Sequence, residues 1–318
     1  MKKFLIFAFV TVIATTCLFA TGSAEKTDGK FTVGICQLVQ HPALDAATQG
    51  FKDALNEALG DRIAFDEQNA SGEMNNCSTI INGFVSKNVD LIMANATAPL
   101  QAAASATSSI PVLGTSITHY AVALELDSWN GTVGTNVSGT SDLASLKEQA
   151  QILKEWFPDA KTVGLLYCSN EANSIFQIEE IEKYFAEMKI KTTRFSFTDT
   201  NDITSVTQKA CDSCDVIYIP TDNTAASNAE AIANVVIASK TPVIAGEANL
   251  CAGCGLATLS INYYDLGFTT GKMAVKILTE GADVSEMPVE FAPAVKMYNA
   301  DMCKIYGITP KAGYTAIQ

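Results

Sequence analysis

The sequence predicts an α/β protein built from two doubly wound parallel-sheet lobes with a ligand cleft between them. Three observations lead to this fold class. Short β-rich runs alternate with longer runs that have helical spacing. The alternation occurs twice, in the same order and with similar element lengths. The strand runs change little between apolar and polar residues, which is typical of parallel strands buried on both faces.

The first half of the chain predicts four strands and three helices. The first helix carries Leu44, Phe51 and Leu55 on one face, and Gly60 follows its end. Strands and helices alternating in this way indicate a parallel sheet with helices on both faces. The strands are expected at 31–35, 62–66, 89–93 and 111–114, and the helices at 43–59, 75–87 and 100–107.

The second half repeats this order. Its strands are expected at 162–167, 191–197, 215–219 and 242–245, and its helices at 173–188, 202–210 and 225–239. We assign residues 30–139 and 260–282 to lobe one and residues 140–259 to lobe two. Residues 283–318, with a strand at 295–298 and a short helix at 301–306, form a C-terminal crossover segment that could join either lobe.

The first 24 residues indicate a secretion signal. Lys2 and Lys3 precede an apolar run at 4–10, and small residues lead to Ala24. The run is too short to cross a bilayer, which needs roughly 20 apolar residues. We therefore expect the mature protein to be exported to the periplasm. Cleavage after Ala24 is one alternative, and lipidation of Cys17, which would anchor the protein to the membrane, is the other.

Composition excludes several classes of protein. The net charge of −13 argues against a nucleic-acid partner, because binding phosphates requires clustered Lys and Arg. The chain has no Walker loop, no G-x-G-x-x-G after the first strand, no H-E-x-x-H and no G-x-S-x-G. We therefore expect neither an enzyme nor a bound cofactor.

Eight cysteines follow the predicted signal, and four of them form the C-x-x-C pairs Cys211–Cys214 and Cys251–Cys254. One pair precedes a predicted strand and the other follows the next strand. Because a strand of about five residues spans roughly 17 Å, the two pairs lie too far apart for one zinc ion. They are expected to form two local disulfides or to remain free thiols, without a metal. Cys36 and Cys168 fall in cleft loops of opposite lobes and are expected to be unpaired.

The loops after the predicted strands are rich in polar, uncharged residues. In open α/β sheets the ligand binds outside the carboxyl ends of the strands, so these loops are the expected site. We select as candidate ligand-binding residues those that these loops place near the cleft. They are Gln37, His41, Thr97, Thr115, Ser116, Ser169, Asn173, Ser174, Asp222, Asn223 and Glu247.

These residue types suit a zwitterion. The loops at Thr97 and at Thr115 and Ser116 could hold an anionic group with hydroxyls and helix-start N–H groups. Asp222 or Glu247, from the other lobe, could meet an ammonium group. The alternative is that these residues only cap helices, as Ser, Thr, Asn and Asp often do.

Five motifs resemble the ABC-transporter substrate-binding proteins of the tryptophan/tyrosine type. The resemblance covers nearly the whole mature chain, with the motifs in matching order. The motifs are GICQLVQHPALD at 34–45, QNASG at 68–72, SNEANS at 169–174, PTDN at 220–223 and YYDLG at 263–267. Cys36, Cys168 and the Cys251–Cys254 loop depart from the family's pattern.

The resemblance implies the periplasmic-binding-protein type I fold, with a multi-strand hinge and an ABC permease as partner. It also implies a small ligand, most often an aromatic amino acid, captured by a monomer. By position it places Gln37, Thr97, Thr115, Ser169, Asn173, Ser174, Asp222 and Glu247 in the cleft. Two alternatives stay open. One is the same fold with a sugar, a nucleoside or another small metabolite, and the other is an extracytoplasmic thiol or metal protein that uses the C-x-x-C pairs.

Overall fold

The structure, a computed structural model, describes residues 29–317. The predicted secretion signal at 1–24 and Cys17 lie outside the described residues. No helix in the described range is long and apolar enough to cross a membrane.

The first half of the described chain alternates strands and helices. It contains β1 (Phe31–Gln37), α1 (Pro42–Leu59), β2 (Ile63–Asn69), α2 (Met74–Lys87), β3 (Leu91–Asn95), α3 (Thr97–Ala106), β4 (Val112–Ile117), α4 (Tyr120–Ala123) and β5 (Val137–Ser141).

The second half continues the alternation. It contains α5 (Leu146–Trp156), β6 (Thr162–Cys168), α6 (Ala172–Glu187), β7 (Lys191–Phe197), α7 (Ile203–Ser213), β8 (Val216–Ile219), α8 (Asn223–Ser227), α9 (Ala229–Ser239), β9 (Val243–Ala245), α10 (Ala248–Cys254), β10 (Ala257–Ser260), α11 (Tyr263–Glu280), β11 (Glu290–Phe291), β12 (Val295–Tyr298), α12 (Ala300–Tyr306) and β13 (Thr315–Ala316).

Two sheets organise these elements and confirm the predicted α/β class with two lobes. The first sheet has the order β11-β5-β4-β3-β1-β2, and the second has the order β13-β12-β10-β9-β8-β6-β7. The pairs in the first sheet are parallel. In the second sheet, β10 and β12 pair in antiparallel fashion, which the prediction of parallel sheets did not include.

The chain crosses between the sheets three times. It leaves the first sheet after β5, returns after β10, and leaves again after β11. Of the C-terminal segment, β11 joins the first sheet, whereas β12 and β13 join the second. The crossings lie close to the lobe boundaries drawn from the sequence, and the division into domains stays a prediction.

Strand β5 was not predicted because it is polar, with the sequence VSGTS. It is nevertheless buried, and its hydroxyls have partners. Ser138 Oγ donates to Met287 O at 2.9 Å, and Ser141 Oγ donates to Thr118 O at 3.0 Å. A buried polar group costs little when it is hydrogen-bonded, so a strand of this composition can occupy the interior.

Helices α1 and α11 pack with their backbones in contact, which fixes the returning chain on the first sheet. A Cβ atom added to Gly267 would lie 1.9 Å from Ala47 O, and one added to Gly50 would lie 2.1 Å from Tyr264 O. Only glycine allows such a close approach. Below this contact, Phe51 and Leu55 of α1 and Met273 of α11 pack in one apolar cluster with Val33 of β1.

The eight cysteines of the described chain are free thiols in this structure. Cys214 lies just before β8, and Cys251 and Cys254 lie in α10 after β9, so the two C-x-x-C pairs occupy opposite strand ends. Cys36, at the end of β1, forms a side-chain hydrogen bond with Cys77 of α2. Within residues 29–317, no group of three or more His, Cys, Asp or Glu side chains could hold a metal ion.

Candidate functional site

A narrow cavity lies between the two lobes, at the carboxyl ends of the strands. Its interior has room for about one water molecule, so a larger ligand fits only where the lobes lie further apart than in this structure. The lining residues are His41, Leu44, Ser116, Thr118, Asp142, Asn173, Thr221, Asp222, Asn223, Ala226, Glu247 and Tyr263.

His41 closes the cavity from the first lobe and contacts the second. It precedes Pro42, the first residue of α1, and its Nε2 lies 3.3 Å from Asn223 Oδ1. Asn223 Nδ2 donates to Glu171 Oε2 at 2.7 Å, so the amide oxygen faces the imidazole. His41 Nε2 therefore carries the hydrogen, and Nδ1 is an acceptor. His41 Nδ1 is buried and has no hydrogen-bond partner in the described chain.

Burial lowers the pKa of His41 below its ordinary value, despite the hydrogen bond to Asn223 and the nearby Glu171 and Asp45 carboxylates. The imidazole is therefore neutral at pH 7, as its acceptor role requires.

Ser116 lies where β4 ends, in the left-handed region of backbone conformation with a φ of 56°. The β4–β5 register shifts between Gly114 and Ile117, so the strand bends at this point. A non-glycine residue in this region costs on the order of 1 kcal/mol, and such strain concentrates at functional sites. The Ser116 hydroxyl is buried and has no partner among the residues the structure describes.

Asp142 follows β5 and is buried at the floor of the cavity. Its Oδ2 accepts a hydrogen bond from the Tyr263 hydroxyl at 2.9 Å, whereas its Oδ1 accepts none from residues 29–317. Burial raises the pKa of Asp142 to about 6, and hydrogen bonds from Tyr263 and Thr118 offset part of that rise. The carboxyl group is therefore mostly ionised at pH 7, and one of its oxygens is available to a ligand.

Two buried carboxyl groups on the second lobe, Asp222 and Glu247, cap helices. Asp222 caps α8: its Oδ1 accepts from Ala225 N at 2.8 Å, and its Oδ2 accepts from Cys168 N at 2.7 Å. Glu247 caps α10 by accepting from Asn249 N at 2.6 Å and from Leu250 N. Burial raises the pKa of Asp222 to about 8, helped by the Glu171 charge, and raises that of Glu247 to about 7.

Glu171, at the start of α6, joins the loops of the second lobe. Its two carboxylate oxygens accept hydrogen bonds from Asn173 Nδ2, from the amide nitrogen and side chain of Asn223, and from the amide nitrogen and hydroxyl of Thr224. These bonds hold Asn173 and Asn223 against the cavity. A carboxylate with this many donors gives the wall of the second lobe a fixed shape.

The structure places six of the eleven candidate residues on the cavity wall: His41, Ser116, Asn173, Asp222, Asn223 and Glu247. The other five contact protein groups elsewhere, and each has a local reason.

On the first lobe, Thr48 donates to Gln37 Oε1 at 2.6 Å, while Gln37 Nε2 donates to Asp45. Thr115 Oγ1 lies 3.3 Å from Thr140 Oγ1 inside the sheet, and Thr97 is buried at the start of α3. On the second lobe, Ser169 Oγ donates to Phe197 O at 3.2 Å. Ser174 Oγ lies 3.3 Å from Asn173 Nδ2 and also beside Asp222.

Sequence reasoning missed Thr118, Asp142, Thr221 and Tyr263, which line the same cavity. Tyr263 begins the YYDLG motif, which therefore carried a usable signal. Asp142 follows the polar strand β5, and no apolar run marked that strand end. The rule that ligands bind at strand carboxyl ends points to Asp142 only once β5 is known.

Comparison with known proteins identifies the family. A family model described as ABC transporter substrate binding protein matches residues 32–310. A tyrosine-binding protein of Clostridioides difficile strain R20291 is 34% identical over 275 residues, which are 85% of this chain and 79% of that protein.

Two solved structures are similar to this chain over most of its length. An ABC domain from Streptococcus pneumonia in complex with L-Trp is 32% identical, covers 90% of this chain and 99% of its own, and superposes with a TM-score of 0.85. The ligand-free, open structure of a substrate-binding protein with adhesive properties from Clostridium difficile is 37% identical. It covers 91% of this chain and 99% of its own, with a TM-score of 0.69.

The protein is therefore closer in shape to the L-Trp complex than to the open structure, although it is less identical to the former. Rotation of two rigid lobes about a hinge changes the overall superposition without changing either lobe. The narrow cavity and the His41–Asn223 contact across it also fit a closed arrangement. The resemblance read from the sequence is confirmed: the chain belongs to the ABC transporter substrate binding protein family and has the type I periplasmic binding fold.

Proposed function

We propose that this protein captures an aromatic amino acid outside the cytoplasm and delivers it to an ABC permease. The observation that carries the proposal is the closed cavity between the lobes, whose unpartnered polar atoms suit a small zwitterion. The tyrosine-binding relative and the L-Trp complex support an aromatic side chain.

The polar groups of the cavity favour an amino acid over a sugar. Three carboxyl groups, Asp142, Asp222 and Glu247, surround it, and no Lys or Arg lines it. The ammonium group of an amino acid can bind a carboxylate, and its carboxylate can bind a neutral donor such as the Ser116 hydroxyl. Sugar sites commonly stack the ring on the faces of Trp, Tyr or Phe, whereas Tyr263 is the single residue of these types among the lining residues, and its hydroxyl is engaged by Asp142.

Capture proceeds by closure of the two lobes. The ligand enters the open form, and contacts across the cleft then favour the closed form. His41 to Asn223 is one such contact. His119 to Phe176 is another, with ring centroids 4.8 Å apart. The closed form would dock on the permease, and members of this family act outside the cytoplasm. Export to the periplasm, or anchoring through Cys17, completes the proposal.

The test is a thermal-shift screen of residues 25–318 against the twenty amino acids, with sugars and nucleosides as controls, followed by calorimetric titration of each hit. A ligand at 100 times its Kd stabilises the folded state by about 2.7 kcal/mol, which raises the melting midpoint. We expect stabilisation by Trp, Tyr or Phe with micromolar or tighter affinity. Stabilisation by a sugar or nucleoside alone would replace the amino acid with that ligand class. Native mass spectrometry before the screen detects any ligand that co-purifies.

A further inference from the structure

Unpartnered polar atoms concentrate in the cavity between the lobes. Among the described residues, six buried side-chain polar atoms have no hydrogen-bond partner. Three of the six belong to residues that line this cavity: His41 Nδ1, Ser116 Oγ and Asp142 Oδ1. A buried polar atom without a partner is costly, so three of them around one cavity point to a bound ligand or water that supplies the missing bonds.

The three carboxyl groups differ in what they can offer. Both oxygens of Asp222 accept backbone N–H groups, and Glu247 likewise accepts two. These four bonds cap helices and fix loops, so a ligand would have to compete with them. Asp142 alone has a buried oxygen with no donor. The Tyr263 hydroxyl holds the other oxygen and so orients the carboxyl plane.

We propose that Asp142 Oδ1 is the acceptor for the ligand's ammonium group, with His41 Nδ1 as a second acceptor. Tyr263 is a positioning residue, and Ser116 Oγ donates to the ligand carboxylate. Asp222 and Glu247, which the sequence favoured for the ammonium, shape the wall of the second lobe instead. The assignment rests on the proposed function, because it requires a ligand with an α-amino group.

The proposed contact also explains why a carboxylate lines the cavity. An ammonium group beside Asp142 would form an ion pair in a cavity closed to water, where charge-assisted hydrogen bonds are strong. Neutral His41 can accept a further N–H without adding a competing charge. A ligand without the amino group would leave the Asp142 charge buried and unpaired.

The experiment is a double-mutant cycle in which the carboxylate of Asp142 is removed from the protein and the α-amino group is removed from the ligand. L-tryptophan and indole-3-propionate, which lacks the α-amino group, are titrated by calorimetry into the wild-type protein and into Asp142→Asn. The wild type should prefer L-tryptophan by about 100-fold or more, as for a buried hydrogen-bonded charge pair. In Asp142→Asn this preference should fall to within a few-fold of one. Asp159→Asn, an exposed change far from the cavity, is the matched control and should retain the full preference.

Two further variants separate the assignment from the alternative acceptors. Asp222→Asn and Glu247→Gln should keep a strong preference for L-tryptophan over indole-3-propionate, even where overall affinity falls. If either loses the preference while Asp142→Asn keeps it, the assignment of Asp142 is wrong. Asp142→Ser serves as a smaller substitute if Asp142→Asn does not fold. If the wild type binds no aromatic amino acid, both the proposed function and this assignment are wrong. If L-tryptophan binds and is preferred over indole-3-propionate equally with and without the Asp142 carboxylate, only the assignment is wrong.

Discussion

The two walls of the cavity differ in how their polar groups are used. On the second lobe, Asp222 and Glu247 accept backbone N–H groups, and Glu171 fixes the side chain of Asn223. On the side of the first sheet, His41, Ser116 and Asp142 each present a buried polar atom without a partner. Both walls are polar in sequence, but among the described residues only the wall of the first sheet has buried polar atoms with no partner at all.

A buried carboxyl group in a cleft is therefore not by itself a ligand-binding group. Its free lone pairs decide its role. Asp222 and Glu247 stabilise the fold, whereas Asp142 remains partly unsatisfied at a cost to stability. Predictions that separate stability from affinity therefore test the difference directly.

The largest expected effect is on stability. Asp222→Ala would leave Cys168 N and Ala225 N buried without their acceptor. We expect it to lower the free energy of unfolding by about 2–4 kcal/mol. Asp142→Asn keeps an oxygen that can accept from the Tyr263 hydroxyl and removes a buried charge, so we expect the ligand-free protein to change by less than about 1 kcal/mol. Urea unfolding at pH 7 measures both.

Asp159→Asn again serves as the control and should leave the urea midpoint unchanged. Equal destabilisation by Asp222→Ala and Asp142→Asn would contradict the view that Asp222 stabilises the fold and Asp142 does not.

The next effect is on the pH dependence of binding. The pKa of Asp142 is raised to about 6, so its carboxyl group becomes protonated as the pH falls below that value. Protonation removes the charge that attracts the ammonium, so affinity should fall by up to about tenfold per pH unit below 6. We expect L-tryptophan affinity to rise between pH 5 and 7 and then to level off. Calorimetric titration at several pH values measures this.

Glu247 and His41 line the same cavity and also titrate, whereas burial raises the pKa of Tyr263 well above its ordinary value and keeps its hydroxyl protonated. In Asp142→Asn the rise centred near pH 6 should disappear. A rise that persists at lower pH would belong to His41, whose pKa lies below its ordinary value, and a rise centred near pH 7 to 8 would assign the dependence to Glu247 or Asp222 instead.

The smallest expected effect concerns the rim of the cleft. Phe176 of α6 contacts His119 of the first lobe, with ring centroids 4.8 Å apart. Phe176→Ala should lower ligand affinity roughly threefold to tenfold, because an aromatic contact contributes about 0.5–1.5 kcal/mol to the closed form. Glu179→Ala, an exposed change on the same helix, should have no effect. A faster ligand dissociation rate in stopped-flow fluorescence would identify loss of closure as the cause, and an unchanged rate would contradict it.

Much of the fold was predictable because its strands are apolar on both faces. The runs at 31–35 and 89–93 overlap β1 and β3 closely. The predicted helix at 225–239 is two helices that meet at Asn228, a residue that favours such breaks. Strand β5 was not predicted because its residues are polar. They can be buried because their hydroxyls bond to distant segments, as Ser138 Oγ does to Met287 O.

The site was only half predictable for a related reason. The loop rule located His41, Ser116 and Asp222, whose side chains stand at strand or helix ends. It could not tell Thr115, which faces into the sheet, from Ser116, which faces the cavity, because an irregularity in strand register decides this. It also missed Asp142, because the polar strand β5 that precedes this residue was not predicted.

The backbone contact between α1 and α11 has a consequence for how this protein is made. α1 is among the first elements to leave the ribosome, but the helix that covers it ends at Glu280. The second sheet is also completed late, since its strands β12 and β13 follow α11 and β11 in the chain. Neither half can finish as an early, independent unit, so the usual order in which the N-terminal domain folds first does not apply. Synthesis must pass Glu280 before the first half is fully covered, and must pass β13 before the second sheet is complete.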